Sequence, residues 1–263
     1  MSETIANLKD VNLSFGTAHI LKDVSLSVER GQTVGLVGES GSGKSTIAKA
    51  MVGVVRPQSG EVWVDNMDVP HASRRGLYAY RRRVQMIPQD PYSSLSPRRT
   101  IGQTLAEAVD PVHVRVRRHK DEIAFWLERV GLSADMMDRY PHEFSGGQRQ
   151  RVAIARGLIV EPSLVIADEI TSALDVSVQA QILELLASVK RDLGLTMVFI
   201  SHNLAVVQRV SDTVVVLYRG VVVESGPVKQ IFNNPQHWYT RALLDADPGS
   251  PRFSLSVRRE ASR

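Results

Sequence analysis

Three stretches of this chain are apolar at almost every position: Thr33–Val37, Leu164–Ala167 and Met197–Ile200. A strand with one solvated face alternates apolar and polar residues, whereas a parallel strand covered by helices on both faces is apolar throughout. The pattern therefore predicts three buried strands of a parallel sheet. A fourth short strand is predicted at Val84–Ile87, where Pro88 ends the apolar run.

Other segments alternate, as half-buried antiparallel strands do. Apolar residues at every second position, Val24, Leu26 and Val28, predict short strands within the first 30 residues, and Val62–Val64 resembles them. Two further apolar runs, Val214–Leu217 and Val221–Val223, flank Arg219-Gly220 and predict a hairpin. We therefore expect an antiparallel flank at the start of the chain and a hairpin late in it.

Helical spacing of apolar residues accounts for most of the remaining chain. One stripe follows Thr33–Val37, and another comprises Val178, Ile182, Leu185, Leu186, Val189 and Leu193. The stretch from about Asp90 to Ile159 is helical in character, and one of its helices is expected to stop at Gly131. The predicted class is α/β, with a parallel core, an antiparallel flank and an inserted helical region.

A glycine-rich loop stands between the first parallel strand and the first helical stripe. It fits G-x-x-x-x-G-K-[ST], the phosphate-binding P-loop, in which glycines let backbone N–H groups surround the phosphates. The lysine adds a charge for the terminal phosphates, and the serine hydroxyl is suited to Mg²⁺. The sequence therefore predicts a nucleoside triphosphate bound by Gly38, Glu39, Ser40, Gly41, Ser42, Gly43, Lys44, Ser45 and Thr46.

The apolar run Leu164–Ala167 ends in two acids, Asp168 and Glu169. Each carboxylate loses hydration if it lies at the end of a buried strand, so a paired arrangement needs a reason. Beside a P-loop, Asp168 is expected to help hold Mg²⁺, and Glu169 to polarise the attacking water or accept its proton. The alternative is a solvated turn.

A second helix start follows the motif Ser145, Gly146, Gly147 and Gln148. Free N–H groups at such a start favour an anion. One nucleotide has little use for two phosphate loops, so we expect this motif to face the nucleotide of another subunit. The alternative is a serine N-cap with a flexible entry.

Composition excludes several functions. The chain of 263 residues has no cysteine, which excludes disulfides, thiolate metal sites and cysteine nucleophiles. Its first residues lack the basic-then-apolar build of a signal peptide, and no stretch reaches the roughly 18 apolar residues of a membrane span. A net charge of +4 does not indicate nucleic-acid binding. The basic clusters Arg81–Arg83 and Arg115–Lys120 are interpreted as solvated faces, the alternative being contacts with lipid head groups or nucleic acid.

Together these motifs resemble the nucleotide-binding subunit of an ATP-binding cassette (ABC) transporter, over about residues 8–244. The resemblance implies a P-loop NTPase fold with a RecA-like parallel core. It divides an ABC ATPase domain (1–244) into that core with its antiparallel flank (1–89 and 160–230) and a helical subdomain (90–159). A polar tail (245–263) follows.

The same resemblance assigns residue roles. Gly38–Thr46 matches Walker A, the strand ending in Asp168-Glu169 matches Walker B, and Ser145–Gln148 matches the signature motif, with Phe144 where leucine is usual. It implies catalytic roles for Lys44, Gln89, Glu169 and His202, metal ligation by Ser45, Gln89 and Asp168, adenine stacking by Phe15, and a D-loop ending at Asp175. Phe15 and His202 have core positions as alternatives. One departure is Ile170, which stands where the family usually has proline.

Three further stretches resemble the oligopeptide, dipeptide and nickel importer branch: Gln89–Arg98, Tyr140–Glu143 and His237–Leu244, the last with Trp238 where the branch usually has proline. The resemblance implies ATP and Mg²⁺ as cofactors and a position at the cytoplasmic face of the membrane. It implies as partners two transmembrane permease subunits, a second ABC ATPase, identical or homologous, and indirectly an extracytoplasmic solute-binding protein, with no nucleic acid. The alternatives are a soluble ABC ATPase acting on nucleic acid, ribosomes or enzyme assembly, and a P-loop kinase or GTPase.

Overall fold

The computed structural model describes residues 3–172 and 174–246. Ala173, and the predicted polar tail from position 247 on, lie outside the described residues. The strands are β1 (Thr4–Phe15), β2 (Ala18–Glu29), β3 (Thr33–Val37), β4 (Ser59–Val64), β5 (Met67–Asp68), β6 (Val84–Ile87), β7 (Leu164–Asp168), β8 (Thr196–Ile200), β9 (Thr213–Tyr218) and β10 (Val221–Pro227).

The helices alternate with these strands. They are α1 (Lys44–Met51), α2 (Arg74–Arg83), α3 (Pro91–Ser94), α4 (Ile101–Val109), α5 (Lys120–Arg129), α6 (Gly146–Leu158), α7 (Val176–Leu193), α8 (Leu204–Val210), α9 (Val228–Asn233) and α10 (Trp238–Asp245). Short 3-10 helices lie at Val69–His71, Val116–His119, Ala134–Asp138 and Pro141–Glu143. No helix in the described part of the chain is long and apolar enough to cross a membrane.

The described part of the chain divides into two compact units, one made of residues 3–77 and 196–246, the other of residues in the range Tyr78–Leu195. The first unit contains an antiparallel sheet in the order β2-β1-β4-β5. It also contains β3 with parallel neighbours β8 and β9, and β10 pairs antiparallel with β9. All five residues of β3 are buried, and each buried Val or Leu side chain contributes about 1.5–3 kcal/mol to folding. The P-loop therefore starts from a firmly held strand.

The second unit contains the parallel pair β6 and β7 and the helices α3–α7. α5 ends where expected, since Gly131 follows it at a φ of +73°, which favours glycine. In α7 the predicted stripe is buried at Ile182, Leu186 and Val189, whereas Leu193, its last residue, is exposed. The helical character expected of the region from Asp90 to Ile159 is confirmed.

The strands predicted from continuous apolar runs are confirmed, and those of β3 and β6 have the predicted bounds. The expectation of short strands near the start is wrong, because β1 and β2 are 12 residues each and form one hairpin. Their pairing shifts register several times, and Asp10 and Asp23 have a positive φ. Such irregularities move residues between the two faces and break the alternation from which a strand is predicted.

Candidate functional site

The loop at residues 38–43 joins β3 to α1 and requires glycine at both ends. Gly38 has a φ of +150°, and a Cβ there would lie 2.1 Å from the carbonyl oxygen of Leu217. Gly43 has a φ of +110°, and a Cβ there would lie 2.7 Å from Cδ2 of Leu21. Neither position accepts a side chain without movement of its neighbours. The loop is thus fixed against β2 and β9 by its lack of side chains.

Lys44, the first residue of α1, is buried, with 5% of its surface exposed. Its ammonium donates to the carbonyl oxygens of Gly38 and Glu39, both at 2.8 Å, so the positive charge is held by the loop itself. The Oγ of Ser42 is buried without a hydrogen-bond partner in the described structure. An enclosed cation beside an unsatisfied hydroxyl fits a bound polyphosphate, which accepts hydrogen bonds from both.

The start of α1 adds to this fit. Its N-cap is Gly43, which has no side chain to occupy the first N–H groups of the helix. Ser45 and Thr46 lie in the first turn and are half-buried. An anion is favoured at such a terminus because the helix dipole is positive there.

Tyr239, which the sequence analysis did not identify as a site residue, contacts the loop. Its hydroxyl accepts a hydrogen bond from the backbone N–H of Glu39 at 3.0 Å. The two residues are 200 positions apart, and no motif pattern connects them. The other predicted site residues of this unit are Phe15, which ends β1 with 53% of its surface exposed, and His202, which is exposed and follows β8.

In the second unit, β7 ends at the two predicted acids. Asp168 is buried, whereas Glu169 is half-exposed. The side-chain amide of Gln89 donates to Oε2 of Glu169 at 3.1 Å and to Oγ of Ser172 at 3.4 Å. The structure therefore brings together Gln89 and Glu169, two predicted catalytic residues that are 80 positions apart.

The backbone of Glu169 lies in the left-handed region, with a φ of +49°. A residue other than glycine pays on the order of 1–3 kcal/mol for such a conformation and keeps it only where its surroundings hold it. Here the carbonyl of Glu169 accepts from the N–H and the hydroxyl of Ser172, at 3.1 and 2.9 Å, and the side chain of Ile170 is 1% exposed. Ile170, in place of the expected proline, anchors this turn by burial.

The metal residues named from the sequence are Ser45, Gln89 and Asp168. Within residues 3–172 and 174–246, no three His, Asp or Glu side chains form a group that could hold a metal ion. Mg²⁺ commonly uses only one or two carboxylates and completes its shell with waters and substrate phosphates. Ser45 lies in the first unit, and Gln89 and Asp168 lie in the second; the hydroxyl, amide and carboxylate oxygens of these side chains are ligand types that suit Mg²⁺.

The motif at Ser145–Gln148 begins α6. The Oγ of Ser145 accepts from the N–H of Gln148 at 3.3 Å, and the N–H of Ser145 donates to Oε1 of Gln148 at 3.0 Å. The alternative role considered for Ser145, that of a helix N-cap, is therefore present, and the serine forms one half of a capping box with Gln148. A serine hydroxyl that accepts one hydrogen bond still has a proton to donate, so the cap does not prevent contact with a phosphate.

The two glycines of this motif differ in their surroundings. A Cβ at Gly147 would lie 2.7 Å from Cγ1 of Val178 on α7, whereas one at Gly146 would lie 3.7 Å from Oη of Tyr92, an ordinary contact. Tyr92 is in α3, shortly after Gln89, and the guanidinium of Arg149 lies 4.1 Å from the centre of its ring. The segment after Gln89 therefore packs against the start of α6.

Asp175, the last residue of the predicted D-loop, is the N-cap of α7. Its Oδ1 accepts from the N–H of Val178 at 2.9 Å and from the hydroxyl of Ser177 at 2.7 Å. These hydrogen bonds favour the ionised form and hold the pKa of Asp175 below its usual value.

Comparison with protein families agrees with the motifs: the family model described as ABC transporter matches residues 21–172. A provisionally named peptide import ATP-binding protein of Brucella ovis is 49% identical over 248 residues, which is 94% of this chain and 78% of that protein. The dipeptide transport ATP-binding protein DppF of Haemophilus influenzae is 45% identical, over 91% of this chain and 73% of that protein.

Solved structures show the same fold. The chain is similar to CbiO1 of Clostridium perfringens, part of an ABC transporter complex, with a TM-score of 0.78 and 27% identity over 93% of this chain and 95% of that one. It is also similar to an ATP-binding cassette, MJ0796, solved as a dimer in a post-hydrolysis state with ADP and phosphate, with a TM-score of 0.76 and 28% identity over 85% and 98% of the two chains. The predicted fold class, a P-loop NTPase with a parallel-sheet core, an antiparallel β flank and an inserted α-helical subdomain, is confirmed.

Proposed function

The chain belongs to the ABC transporter family as an ATP-hydrolysing subunit, and from this premise we propose that it powers an importer for peptides or a related small solute. The observation that carries the proposal is that one chain contains both a P-loop with an enclosed lysine and the capped signature helix. The names of the Brucella and Haemophilus relatives support peptides as the solute class.

The P-loop half of the site binds the phosphates. Lys44 contributes its ammonium charge, and the N-terminus of α1 and the hydroxyl of Ser42 contribute donors. Phe15 stacks on adenine through its exposed ring, a contact on the order of 1–3 kcal/mol. His202 senses the terminal phosphate. Mg²⁺, when bound, neutralises phosphate charge.

Residues of the second unit are proposed to act on the metal and on the attacking water. Asp168, Gln89 and Ser45 are the residues that would hold Mg²⁺ through their side-chain oxygens. Glu169 orients the attacking water and accepts its proton, and the amide of Gln89 fixes the direction of the carboxylate through the 3.1 Å hydrogen bond. The hydrogen bonds from Ser172 to the carbonyl of Glu169 hold the backbone from which this carboxylate extends.

We propose further that two ATPase subunits close around two ATP molecules, with Ser145–Gln148 of each, together with Asp175, serving the nucleotide of the other. Closure drives two permease subunits at the cytoplasmic face of the membrane, and a solute-binding protein delivers the solute on the far side. ATP favours the closed state because it binds that state better. The segment that contains Tyr92, Arg98 and Arg99 is the proposed permease contact, since it is joined to Gln89 and packs on α6.

The catalytic assignment is tested by two variants, each with a matched control. Lys44→Ala should weaken ATP binding about tenfold or more, because charged hydrogen bonds are lost, while Lys49→Ala, an exposed lysine on the same helix, should not. Glu169→Gln should keep ATP binding and lower hydrolysis about 100-fold or more. Its control is Glu161→Gln, an exposed glutamate in the same unit with the same φ of +49°.

Isothermal titration measures the ATP Kd, and phosphate release measures turnover. Wild-type hydrolysis by Glu169→Gln, or wild-type ATP affinity in Lys44→Ala, would remove the residue from its role.

A further inference from the structure

We propose that Tyr239 is a positioning residue for the P-loop. Its side chain holds the peptide group between Gly38 and Glu39 in the orientation that places Lys44, and it thereby couples ATP binding to helix α10. The inference rests on the proposed binding of ATP at this loop. It adds a residue that lies outside every motif of the site.

The central observation concerns one peptide group. The carbonyl of Gly38 and the N–H of Glu39 belong to it, and because the bond is trans they point in opposite directions. The carbonyl accepts from the ammonium of Lys44 at 2.8 Å, and the N–H donates to the hydroxyl of Tyr239 at 3.0 Å. The peptide is therefore clamped between the lysine on one side and the tyrosine on the other.

The next carbonyl along the loop is also held. The carbonyl oxygen of Glu39 accepts hydrogen bonds from the ammonium of Lys44 at 2.8 Å and from the N–H of Ser42 at 3.2 Å. These contacts lie on the lysine side, so they do not replace the tyrosine. Among the contacts that hold Glu39, the hydrogen bond to Tyr239 comes from outside the loop and α1.

Tyr239 is itself fixed. It is 3% exposed, and its ring centre lies 4.2 Å from that of Tyr218, the last residue of β9. Its N–H donates to Nδ1 of His237, the N-cap of α10, at 3.2 Å. The carboxylate of Glu224 on β10 accepts from the N–H groups of Gln236 and His237 at 2.7 and 3.1 Å.

The P-loop is braced on the same two strands. The N–H of Gly220, in the turn between β9 and β10, donates to the carbonyl of Ser42 at 3.0 Å. The P-loop and α10 both contact the hairpin of β9 and β10, and Tyr239 also links the loop to α10 directly. Burial raises the pKa of Tyr239 to about 12, so its hydroxyl is neutral under ordinary conditions and has lone pairs for the N–H of Glu39.

The expected consequence of losing the clamp is a change in affinity. Without the hydroxyl the peptide can rotate, and Lys44 loses the fixed carbonyl that places its ammonium. Residues that handle the attacking water are on other elements, so turnover at saturating ATP should be little affected. A general destabilisation would instead lower the active fraction and reduce kcat as well.

The decisive comparison is between Tyr239→Phe and Tyr218→Phe. Each removes one phenol hydroxyl from the same aromatic pair, but only the first removes the bond to Glu39. We expect the ATP Kd to rise about fivefold in Tyr239→Phe, with kcat within about twofold of wild type, and no change in Tyr218→Phe. Equal Kd values in the two variants, or a fall in kcat at unchanged Kd, would overturn the inference. Failure of the wild-type chain to bind ATP would instead refute the proposed function.

A second measurement needs no variant and covers the case in which Tyr239→Phe does not fold. Amide hydrogen exchange of the wild-type chain is followed by mass spectrometry with and without ATP. If the loop and α10 are linked, ATP should slow exchange in both residues 38–43 and Trp238–Asp245. Protection of the loop with unchanged exchange in α10 would contradict the link.

Discussion

Replacing Gly38 by alanine should be among the most destabilising single changes in this chain. The new Cβ would lie 2.1 Å from the carbonyl oxygen of Leu217 and 2.9 Å from Oγ of Ser42. The hydroxyl can turn away, but the carbonyl belongs to the backbone of β9, a strand buried at its centre. Because only backbone movement relieves the contact, we expect a loss of about 4 kcal/mol or more, a large part of the usual 5–15 kcal/mol of folding stability.

Gly41 in the same loop is the matched control. It also has a positive φ, +79°, but a Cβ there would meet nothing within 4 Å. Gly41→Ala therefore carries the conformational cost alone, about 1–2 kcal/mol. The difference between the two variants therefore measures the clash together with the added backbone strain of an alanine at a φ of +150° rather than +79°.

Urea unfolding followed by circular dichroism measures both variants against the wild type. The expected order of stability is wild type, then Gly41→Ala, then Gly38→Ala, with the last variant partly unfolded or poorly soluble without urea. If Gly38→Ala unfolds at the same urea concentration as Gly41→Ala, the loop is not packed against β9 as described, and the argument fails.

Three other predictions concern the starts of α6, α7 and α10, the last through Glu224, which accepts hydrogen bonds from Gln236 and His237 just before α10. Gly147→Ala, which presses on Val178, should cost about 1–3 kcal/mol of stability by overpacking. Gly146→Ala should leave stability unchanged because a Cβ there makes only an ordinary contact, but it should lower hydrolysis because Gly146 belongs to the motif proposed to serve the partner's nucleotide. If Gly147→Ala and Gly146→Ala are equally stable in urea unfolding, the close contact of Gly147 with Val178 is contradicted. Asp175→Ala should lower the melting temperature by removing the N-cap of α7, while Asp175→Asn, which keeps an acceptor, should lower it less; equal melting temperatures would count against the cap. Glu224 is partly buried, which opposes ionisation, but backbone hydrogen bonds outweigh this and hold its pKa below the usual value. Its stabilising effect is therefore present above the unfolded pKa of about 4.3 and is lost as pH falls through the folded value, so Glu224→Gln should cost about 0.5–1 kcal/mol at pH 7 and less near pH 3. A pH-independent difference in unfolding free energy would refute this.

The sequence predicted the elements whose burial is uniform. The strands β3, β6, β7 and β8 coincide with apolar runs that have clear ends, so their positions could be predicted from the order of apolar and polar residues alone. Helix α2 was not predicted, because Arg74–Arg83 contains one fully buried residue, Tyr80, among many arginines and has no apolar stripe. A helix held by so few apolar contacts leaves no periodic signal.

Site residues could be named from the sequence only where they belong to motifs with fixed spacing. The resemblance named Gln89 and Glu169 separately, and it did not predict the hydrogen bond that the structure shows between them. Tyr239 could not be found in this way, because its contact with Glu39 depends on how β9, β10 and α10 pack rather than on local sequence. The left-handed backbone of Glu169 could not be predicted either, because no sequence pattern marks a glutamate that has a positive φ.

The account's central claim, that this chain is the ATPase of a membrane importer, is tested most directly by identifying its partners. Tagged Glu169→Gln protein, which should bind ATP without turnover, is purified from solubilised membranes of the source organism with ATP present, and the co-purifying chains are identified by mass spectrometry. The account predicts that two multi-span membrane proteins co-purify together with a second ATPase subunit. A complex made only of soluble chains would contradict it.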